Sequence, residues 1–405
     1  IYGLLYFSPK PLSMDVIAAK LGISIGSASQ GLRTLRSLKA VKVTYVLGDR
    51  RDYYVAEAEF RHLLSTFIKE EIMPHLDSGK ERIDRMEEIL GQAKEEYDGD
   101  FCRHAHLIGY RPKVIGLGTI SLDTIEIGGH TEKDVLGGSA LYFGAAARFF
   151  SNVTLLGVVG TDFPNSELDR LDEINIDTSG ISTRPGETFR WHVRYESNGE
   201  RNTLSTNRPS ALRQPSIPEL RYRPDALFLG STDPSIQASV LSDLGQPSLV
   251  VLDTMSHWIR VQREEFDMVA CCADVVLLNS KEAGLLGDGD HRSAVAQILE
   301  GGSSWVVIKQ GGQGAVAFSQ EKSVSVSSVL PRYVTDPTGA GDAFAGGLVS
   351  ALAGGSTRLV DMQIAMRRAA VMGSLAVESF SINSLLEITT DEADSRANEV
   401  AVHVA

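Results

Sequence analysis

Several features that define other protein classes are scarce or absent in this 405-residue chain. It has three cysteines, and two of them, Cys271 and Cys272, are adjacent, which excludes a disulfide framework and predicts a reducing, cytoplasmic location. No stretch approaches the roughly 18 consecutive apolar residues of a membrane-spanning helix. The pattern Gly-x-x-x-x-Gly-Lys-Ser/Thr is missing, which excludes a P-loop phosphate site. The chain begins at Ile1 rather than at a methionine, and we expect a fragment whose start lies upstream.

Charge is distributed unevenly along the chain. The formal net charge is −13, of which residues 1–110 carry −1 and residues 111–405 carry −12. Between residues 20 and 51, seven basic residues accompany a single acidic one, Asp49. The acidic part argues against general nucleic-acid binding, whereas the basic stretch permits it locally.

The pattern of apolar residues changes near residue 100. Before that point the sequence is helical and charged. After Pro112 it consists of short apolar runs broken by glycines, such as ValIleGlyLeuGly at 114–118 and LeuValValLeuAsp at 249–253. Such runs, with helical stretches between them, are typical of buried parallel strands in a doubly wound α/β sheet. We therefore predict a linker at 101–112 and an α/β domain at 113–405.

The strongest chemical signal is AspProThrGlyAlaGlyAspAlaPheAlaGlyGly at 336–347. Its residues Gly339, Ala340 and Gly341 can form a turn with converging N–H groups, and a helix is predicted from Asp342 onward. Free N–H groups at a helix N-terminus bind phosphate oxygens. An aspartate beside such a site can accept the proton of a hydroxyl that attacks a γ-phosphoryl group. The alternative is an ordinary glycine turn with Asp342 as a helix cap.

This segment resembles the signature of the ribokinase-like (phosphofructokinase-B type) family of carbohydrate and nucleoside kinases, and further motifs of that family follow in order across 113–405. The resemblance implies a ribokinase-like doubly wound sheet with helices on both faces and a small β lid at about 182–210. It implies ATP-dependent phosphorylation of a hydroxyl on a sugar or sugar-like molecule. Asp342 would be the general base and 339–341 the anion hole. ATP and Mg²⁺ are the implied cofactors, and K⁺ is a further candidate.

The resemblance also assigns substrate-binding residues. In GlyThrIleSerLeuAsp at 118–123, Asp123 would bind substrate hydroxyls. In LeuGlyGlySerAlaLeuTyrPheGly at 136–144, Gly137 and Gly138 would line the sugar site. The alternatives are an aspartate that merely ends a strand and an ordinary glycine turn.

Nucleotide and metal contacts follow from the same resemblance. The pair Asn279 and Glu282 matches an Asn-x-x-Glu motif that organises Mg²⁺ through water, although a surface pair on one helical turn has the same spacing. Asp336 is assigned a contact to K⁺. The remaining nucleotide or phosphate contacts are assigned to Lys309, Gly311, Gly314 and Thr338.

Two regions depart from the family pattern or stand out from it. Where many sugar kinases have an asparagine, this chain has Tyr142, whose ring can stack on a sugar or a nucleobase but cannot replace a directed amide. A nucleoside kinase is therefore an alternative. In the strand predicted at 188–195, Arg190 is expected to contact an anionic acceptor, the alternative being a charged outer face. Asp253, which follows a buried strand, is a further substrate-binding candidate, with a packing role as its alternative.

Residues 1–56 show a helix, a turn, a second helix and a β-hairpin. Ser13 is placed to cap the first helix, Gly22 to end it and Ser24 to cap the second. The second helix should turn Ile25, Ala28, Leu32 and Leu35 toward a core. Strands at 41–46 and 52–55 would form a hairpin.

This part resembles the MarR-like winged-helix regulators of the glycine-betaine repressor branch. The resemblance implies contacts to double-stranded DNA from Ser27, Ser29, Gln30, Arg33 and, at the hairpin tip, Arg50 and Arg51. Residues 57–100 are predicted to form amphipathic helices that make a homodimer, an intramolecular helical hairpin being the alternative. A winged helix used only for protein contacts is also an alternative.

Three interpretations of the whole chain remain open at this point. We favour an active kinase joined to a DNA-binding module. The second is a transcriptional regulator that uses a kinase-fold domain as a ligand sensor. The third is a fusion of two neighbouring genes whose domains do not communicate.

Overall fold

The computed structural model of the chain describes residues 1–37, 40–46, 49, 51–56, 111–196, 201–207, 213–218, 223–245, 247–353 and 357–405. The chain divides into two compact units, Ile1–Asp100 and Phe101–Ala405. The helices predicted at 57–100, most of the linker predicted at 101–112 and the side chain of Arg50 lie outside the described residues.

The first unit contains helices α1 (Tyr2–Tyr6), α2 (Met14–Leu21) and α3 (Ile25–Ser37), and strands β1 (Leu12–Ser13), β2 (Val41–Thr44) and β3 (Tyr53–Ala56). The strands form an antiparallel sheet in the order β1-β3-β2. Gly22 ends α2 at a φ of 65°, and Ser24 caps α3 by accepting a hydrogen bond from Ser27 N at 3.0 Å. Ile25, predicted for the core, is 51% exposed, so the buried stripe of α3 begins at Ala28.

The strands of the second unit, in chain order, are β4 (Lys113–Leu117), β5 (Ser121–Ile127), β6 (His130–Gly137), β7 (Asn152–Gly160), β8 (Ile176–Asp177), β9 (Ile181–Arg184), β10 (Phe189–Tyr195), β11 (Arg201–Asn207), β12 (Ala226–Leu229), β13 (Val250–Asp253), β14 (Val275–Asn279), β15 (Trp305–Lys309), β16 (Ala315–Phe318), β17 (Ser323–Val326) and β18 (Val402–Val404). The described part of the large sheet has the order β18-β17-β16-β15-β14-β13-β12-β4-β7-β8, with β9 also paired to β7. Strands β15, β14, β13, β12, β4 and β7 run parallel, and β16 to β18 extend the sheet antiparallel.

The helices of the second unit are α4 (Ser139–Ala147), α5 (Asn165–Glu173), α6 (Pro234–Asp243), α7 (Ser256–Val261), α8 (Arg263–Ala270), α9 (Ser280–Leu286), α10 (His291–Glu300), α11 (Ala340–Leu352), α12 (Leu359–Ala376), α13 (Asn383–Glu387) and α14 (Thr390–Asn398). One face of the sheet packs against α4, α11 and α12, and the other against α6 and α8 to α10. The predicted doubly wound α/β sheet with helices on both faces is confirmed.

Burial on both faces explains why the central strands appear as continuous apolar runs. Within β4, Val114 belongs to one core cluster, whereas Ile115 and Leu117 belong to the cluster on the opposite face. Successive side chains of a strand point to opposite faces, so a strand covered on both sides has no polar alternation.

The second unit also contains a smaller, four-stranded sheet, which we call the lid sheet. Its order is β11-β10-β5-β6, with β10 parallel to β5 and the other pairs antiparallel. The lid was predicted at about 182–210, and the structure extends it because 121–137 supplies two of its strands. Residues 197–200 and 208–210 lie outside the described residues.

No helix among the described residues is long and apolar enough to span a bilayer. The expected cytoplasmic location stays a prediction.

The turn after β15 offers a matched test of backbone strain. Gly314 has a φ of 93°, and a Cβ there would collide with the carbonyl oxygen of Val326, whereas nothing lies within 4 Å of a Cβ on Gly312. We expect Gly314→Ala to lower the free energy of unfolding by about 2 kcal/mol or more, because strain and collision add. Gly312→Ala should change it by less than about 1 kcal/mol. Urea denaturation checks both, and equal effects would contradict the assigned turn.

Candidate functional site

The carboxyl ends of β4 and β12 lie where the strand order of the large sheet reverses. β4 pairs with β7 on one side and with β12 on the other. In open α/β sheets, ligands bind in the crevice outside such a switch point. A cavity of about 430 Å³ lies there, and Thr119, Ser231 and Thr232, which follow the two strands, line it. Its volume is within the range of small-molecule sites, roughly 300–1,000 Å³.

Rings form much of the cavity wall. The side chains of strand β10 alternate between its two faces, and its Phe189 and Trp191 line the cavity from the lid sheet. The Trp191 indole is fixed by a hydrogen bond from Nε1 to Thr203 Oγ1 at 3.1 Å. His257 and Trp258 line it from α7. The cavity is therefore suited to a ligand with at least one flat apolar face.

The predicted anion turn begins helix α11. Gly339 precedes the helix in the left-handed region, with a φ of 76°, which glycine adopts without strain. A side chain there would collide with the ring of Tyr142, so this ring packs directly on the turn. The first intrahelical hydrogen bond runs from Ala343 N to Gly339 O at 2.9 Å. The N–H groups of 339–341 precede that bond and are donors that, with the helix dipole, attract an anion.

Asp342 lies in the first turn of α11 and lines the cavity. Burial raises the pKa of its carboxyl to about 7, and the charges of Asp253 and Glu282 act in the same direction, against Lys309 and Arg201. A carboxylate with a pKa near neutrality is an effective base at physiological pH. Asp342 therefore has both the position and the basicity to deprotonate a hydroxyl held in the cavity.

A buried ion pair supports the turn from behind. Lys309 ends β15 and Asp253 ends β13, and Nζ lies 2.6 Å from Oδ2. The ammonium group adjoins the turn, because a Cβ on Gly341 would lie 3.2 Å from Nζ. Burial opposes the charge on Lys309, but Asp253, Glu282 and Asp342 hold its pKa above the ordinary value. Asp253 does not line the cavity, and its predicted contact with the acceptor is corrected to pairing with Lys309.

Asn279 and Glu282 form a capping box at the start of α9. Asn279 Oδ1 accepts from Glu282 N at 2.9 Å, and Glu282 Oε2 accepts from Asn279 N at 2.8 Å. Burial, followed by the charge of Asp253, raises the pKa of Glu282 to about 7. Neither residue lines the cavity, and neither do Gly311 and Gly314, which shape the turn after Lys309. Among the described residues, no three His, Cys, Asp or Glu side chains are grouped closely enough to hold a metal ion directly.

Asp123 lines the cavity from strand β5 and is 2% exposed. Burial raises its pKa to about 7, and the charge of Asp336 adds to the shift while a hydrogen bond from Ser121 opposes it. Two glycines let the chain at 137–138 approach Asp123 and the segment before β5 closely. A Cβ on Gly137 would collide with the Asp123 carboxylate, and a Cβ on Gly138 would collide with the backbone just before β5. Gly138 lines the cavity, whereas Gly137 lies beneath Asp123.

Asp336 and Thr338 connect the anion turn to the lid sheet. Asp336 is fully buried and its Oδ1 accepts from Thr338 N at 2.9 Å. The Thr338 hydroxyl lies 2.9 Å from the Tyr195 hydroxyl of β10, and Thr338 also lines the cavity. Among the described residues, Asp123 Oδ1 and Asp336 Oδ2 are buried oxygens without a hydrogen-bond partner. Such orphaned acceptors suit a bound cation or a hydroxyl donor.

The arginine predicted to contact the acceptor lies on the wrong face of the lid sheet. Arg190 is hydrogen-bonded to Asp134 and, at 2.9 Å, to Asp162, and it does not line the cavity. The reason is the alternation of β10, which turns Trp191 inward and Arg190 outward. Arg201, on the neighbouring strand, lines the cavity instead. Sequence reasoning missed it, because the alternation of a strand does not show which of its faces meets a cavity.

The residues predicted to contact DNA are distributed over α3 and the hairpin. Gln30 and Arg33 are exposed, whereas Ser29 is half-buried and the Ser27 hydroxyl lies 2.9 Å from that of Ser24. Arg51 is exposed, but it bonds Asp49 and reaches Asp15 of α2 at 2.7 Å. Arg51 was predicted to contact DNA at the hairpin tip; in the structure it pairs with these two carboxylates and links the hairpin to α2.

Comparison with known proteins identifies relatives of the second unit. The sequence model of the pfkB family carbohydrate kinases matches residues 123–389. A cytidine kinase of Thermococcus kodakarensis is 25% identical over 263 residues, which are 63% of this chain and 94% of that protein. A fructokinase of Rhizobium leguminosarum bv. trifolii is 32% identical over 103 residues, 25% of this chain and 30% of that protein.

Solved structures share the fold. A nucleoside kinase of Burkholderia thailandensis in complex with inosine superposes with a TM-score of 0.62 at 18% identity, covering 70% of this chain and 97% of that one. The fructokinase of Vibrio cholerae O395, bound to fructose, ADP and calcium, gives a TM-score of 0.59 at 22% identity, covering 71% and 99%. These likenesses support a ribokinase-like fold for the second unit.

The raised pKa of Asp123 has a consequence for stability. In the unfolded chain this carboxyl ionises near pH 4, and in the folded chain at about 7, so the folded state binds the extra proton between these values. Stability should therefore fall as pH rises from 4 to 7. We expect Asp123→Asn to stabilise the chain at pH 8 by roughly 2–4 kcal/mol and to change little at pH 4. Urea denaturation at both pH values checks this, with exposed Glu321→Gln as the control; equal effects at both would contradict it.

Proposed function

The chain belongs to the pfkB family of carbohydrate kinases and is a phosphotransferase with a hydroxyl group as acceptor; from this premise we propose that it phosphorylates a nucleoside with ATP. The observation that carries the proposal is a cavity that joins a base, Asp342, to an anion turn and to a wall of rings. A bare sugar, the acceptor class favoured by the sequence, is the alternative.

The composition of the wall supports this acceptor class. Tyr142, Phe189, Trp191 and Trp258 all line the cavity. A sugar needs directed polar partners around its ring, whereas a nucleobase gains from stacking on aromatic rings. Asp123, at the lid end, is suited to accept hydrogen bonds from sugar hydroxyls. The similarity to a cytidine kinase over 94% of its length supports the same acceptor class.

Asp342 acts as the general base in the proposed mechanism. It takes the proton of the acceptor hydroxyl as that oxygen attacks the γ-phosphorus of ATP. The bond from the γ-phosphorus to the bridging oxygen breaks, and ADP leaves with the electron pair. The N–H groups of 339–341 bind the phosphoryl oxygens, and Lys309 adds positive charge behind them. The main contribution of the protein is therefore position and charge.

Cation sites are proposed from the carboxylates that surround the turn. Asp253 raises the pKa of Glu282 and of Asp342, and all three carboxylates raise the pKa of Lys309, so this end of the sheet carries an excess of negative charge. That charge fits Mg²⁺, which when bound neutralises phosphate oxygens. Asn279 and Glu282 would orient its waters. The orphaned Oδ2 of Asp336 fits a monovalent cation such as K⁺.

An ATP-consumption assay tests the enzyme and its acceptor together. The full chain is assayed with Mg²⁺ and K⁺ against nucleosides, pentoses, hexoses and sugar acids. We expect turnover with nucleosides, and we expect Asp342→Asn to lower kcat by roughly 10²- to 10⁴-fold, the usual contribution of a general base.

The control is Asp391→Asn, an exposed first-turn aspartate of α14 outside the site, which should keep full turnover. Turnover with sugars alone would contradict the nucleoside proposal and make sugars the acceptor class. Near-normal kcat in Asp342→Asn would contradict the assigned base. Nucleotide binding without turnover on any acceptor would favour the ligand-sensor interpretation.

For residues 1–56 we infer a winged helix that contacts double-stranded DNA. Two helices joined at Gly22 precede an antiparallel hairpin, the order expected of that motif. The exposed side of α3 carries Gln30 and Arg33, side chains that read base edges. With Arg51 paired to carboxylates, α3 rather than the hairpin is the proposed contact surface. Homodimerisation through 57–100 stays a prediction.

Arg33 provides the test of this module. A DNA duplex is first selected from a random pool by its binding to the wild-type full chain. We expect Arg33→Ala to weaken binding to that duplex by about 10-fold or more, since a base contact contributes about 1–3 kcal/mol. Binding is measured at fixed salt. Lys10→Ala, an exposed cation of the same unit outside α3, is the control. Failure to select any duplex would leave α3 as a surface for proteins and contradict the DNA assignment.

A further inference from the structure

One cation of the lid sheet faces the cavity. Arg201 is the first residue of β11 and pairs in register with Tyr195 of β10. Among the described lining residues it is the single Lys or Arg side chain; the other titratable groups are Asp123, Asp342, His257 and Tyr142. Two of those are carboxylates, so Arg201 supplies the permanent positive charge on the acceptor side of the cavity.

The guanidinium group contacts the ring wall and interacts with a hydroxyl that is bonded to the residue before the anion turn. Its Cζ lies 5.0 Å from the centroid of the Trp191 ring. The group also interacts with the Tyr195 hydroxyl, which lies 2.9 Å from Thr338 Oγ1. Thr338 immediately precedes Gly339. Arg201 is therefore connected through two hydroxyls to the turn proposed to bind the phosphoryl group.

Charge balance on the acceptor side points to a role for this group. In the proposed reaction, negative phosphoryl oxygens approach a cavity that already contains Asp123 and Asp342. Lys309 cannot offset this from the acceptor side, because it lies behind the turn and is paired with Asp253. A positive group on the lid side would lower the cost of bringing these charges together.

We propose that Arg201 is a catalytic residue that binds the phosphoryl group in transfer from the lid side of the cavity, opposite the N–H groups of the anion turn. This inference rests on the proposed kinase reaction and adds no covalent step to it. Arg201 neutralises charge while the oxygen–phosphorus bonds form and break as described above.

The chemistry of arginine suits this position. Contact with the Trp191 ring does not use the N–H groups of the guanidinium, so they stay available to oxygen acceptors. A lysine could supply charge there but neither the planar contact nor two parallel hydrogen bonds. Arg201→Lys should therefore recover only part of the function.

The test compares variants of the full chain with the acceptor that the wild type uses. We expect Arg201→Ala to lower kcat by roughly 10²- to 10³-fold, with the KM for the acceptor changed by less than about 5-fold. Added guanidinium ion should restore part of kcat in Arg201→Ala, an effect that loss of a structural contact would not produce. The control is Arg194→Gln on the outer face of the same sheet, paired with Glu126, which should keep wild-type kcat.

Two results would overturn the inference. One is an Arg201→Ala variant with normal kcat and a raised KM for the acceptor, which would make Arg201 an acceptor-binding residue. The other is a loss of kcat that guanidinium ion does not restore and that Arg194→Gln reproduces, which would indicate damage to the lid sheet. A wild-type chain without turnover on any acceptor would contradict the proposed function itself, before Arg201 is considered.

Discussion

The ion pair between Lys309 and Asp253 is the interaction on which the rest of the site depends. Breaking a buried pair of this kind leaves one charge without compensation, which is far more costly than never having formed it. The pair fixes the carboxyl ends of β13 and β15 beside the start of α11. Its ammonium group offsets the mutual repulsion of Asp253, Glu282 and Asp342. Without that offset, the mutual repulsion of three carboxylates beside the start of α11 would have no compensation.

The lid sheet shows how one alternating strand separates two tasks. The outward side chains of β10 form ion pairs: Arg190 with Asp134 and Asp162, and Arg194 with Glu126. The inward side chains form the ring wall. The outer pairs attach the lid strands to one another and to the loop after β7, so they stabilise the position of the wall without entering the cavity. Charge on the outside and rings on the inside are consequences of the same two-residue period.

The doubly wound sheet, the left-handed glycine before α11 and the aspartate in the first turn of that helix could be predicted from the sequence, because each depends on local pattern. The roles of this turn and of Asp342 stay predictions. Arg190, Asp253 and Arg201 could not be assigned in this way. The alternation of β10 is visible in the sequence, but which of its faces meets the cavity depends on how β10 pairs with β5. In that pairing Phe189 lies opposite Ser121, a residue 68 positions earlier in the chain. The pairing of Asp253 with Lys309 likewise joins residues 56 positions apart. In the first unit, the neutralisation of Arg51 by Asp15 is a tertiary contact of the same kind.

The hydroxyl pair of Tyr195 and Thr338 joins a strand of the acceptor wall to the turn that precedes α11. A ligand that orders the lid strand therefore also restricts the turn before α11, and a ligand that orders the turn restricts the strand. The conformational entropy of the two segments is then lost only once. By thermodynamic linkage, the gain in affinity is the same in both directions: the acceptor favours the nucleotide to the extent that the nucleotide favours the acceptor. In the proposed reaction, the single hydrogen bond between the Tyr195 and Thr338 hydroxyls would thus couple the binding of the two substrates before any chemistry takes place.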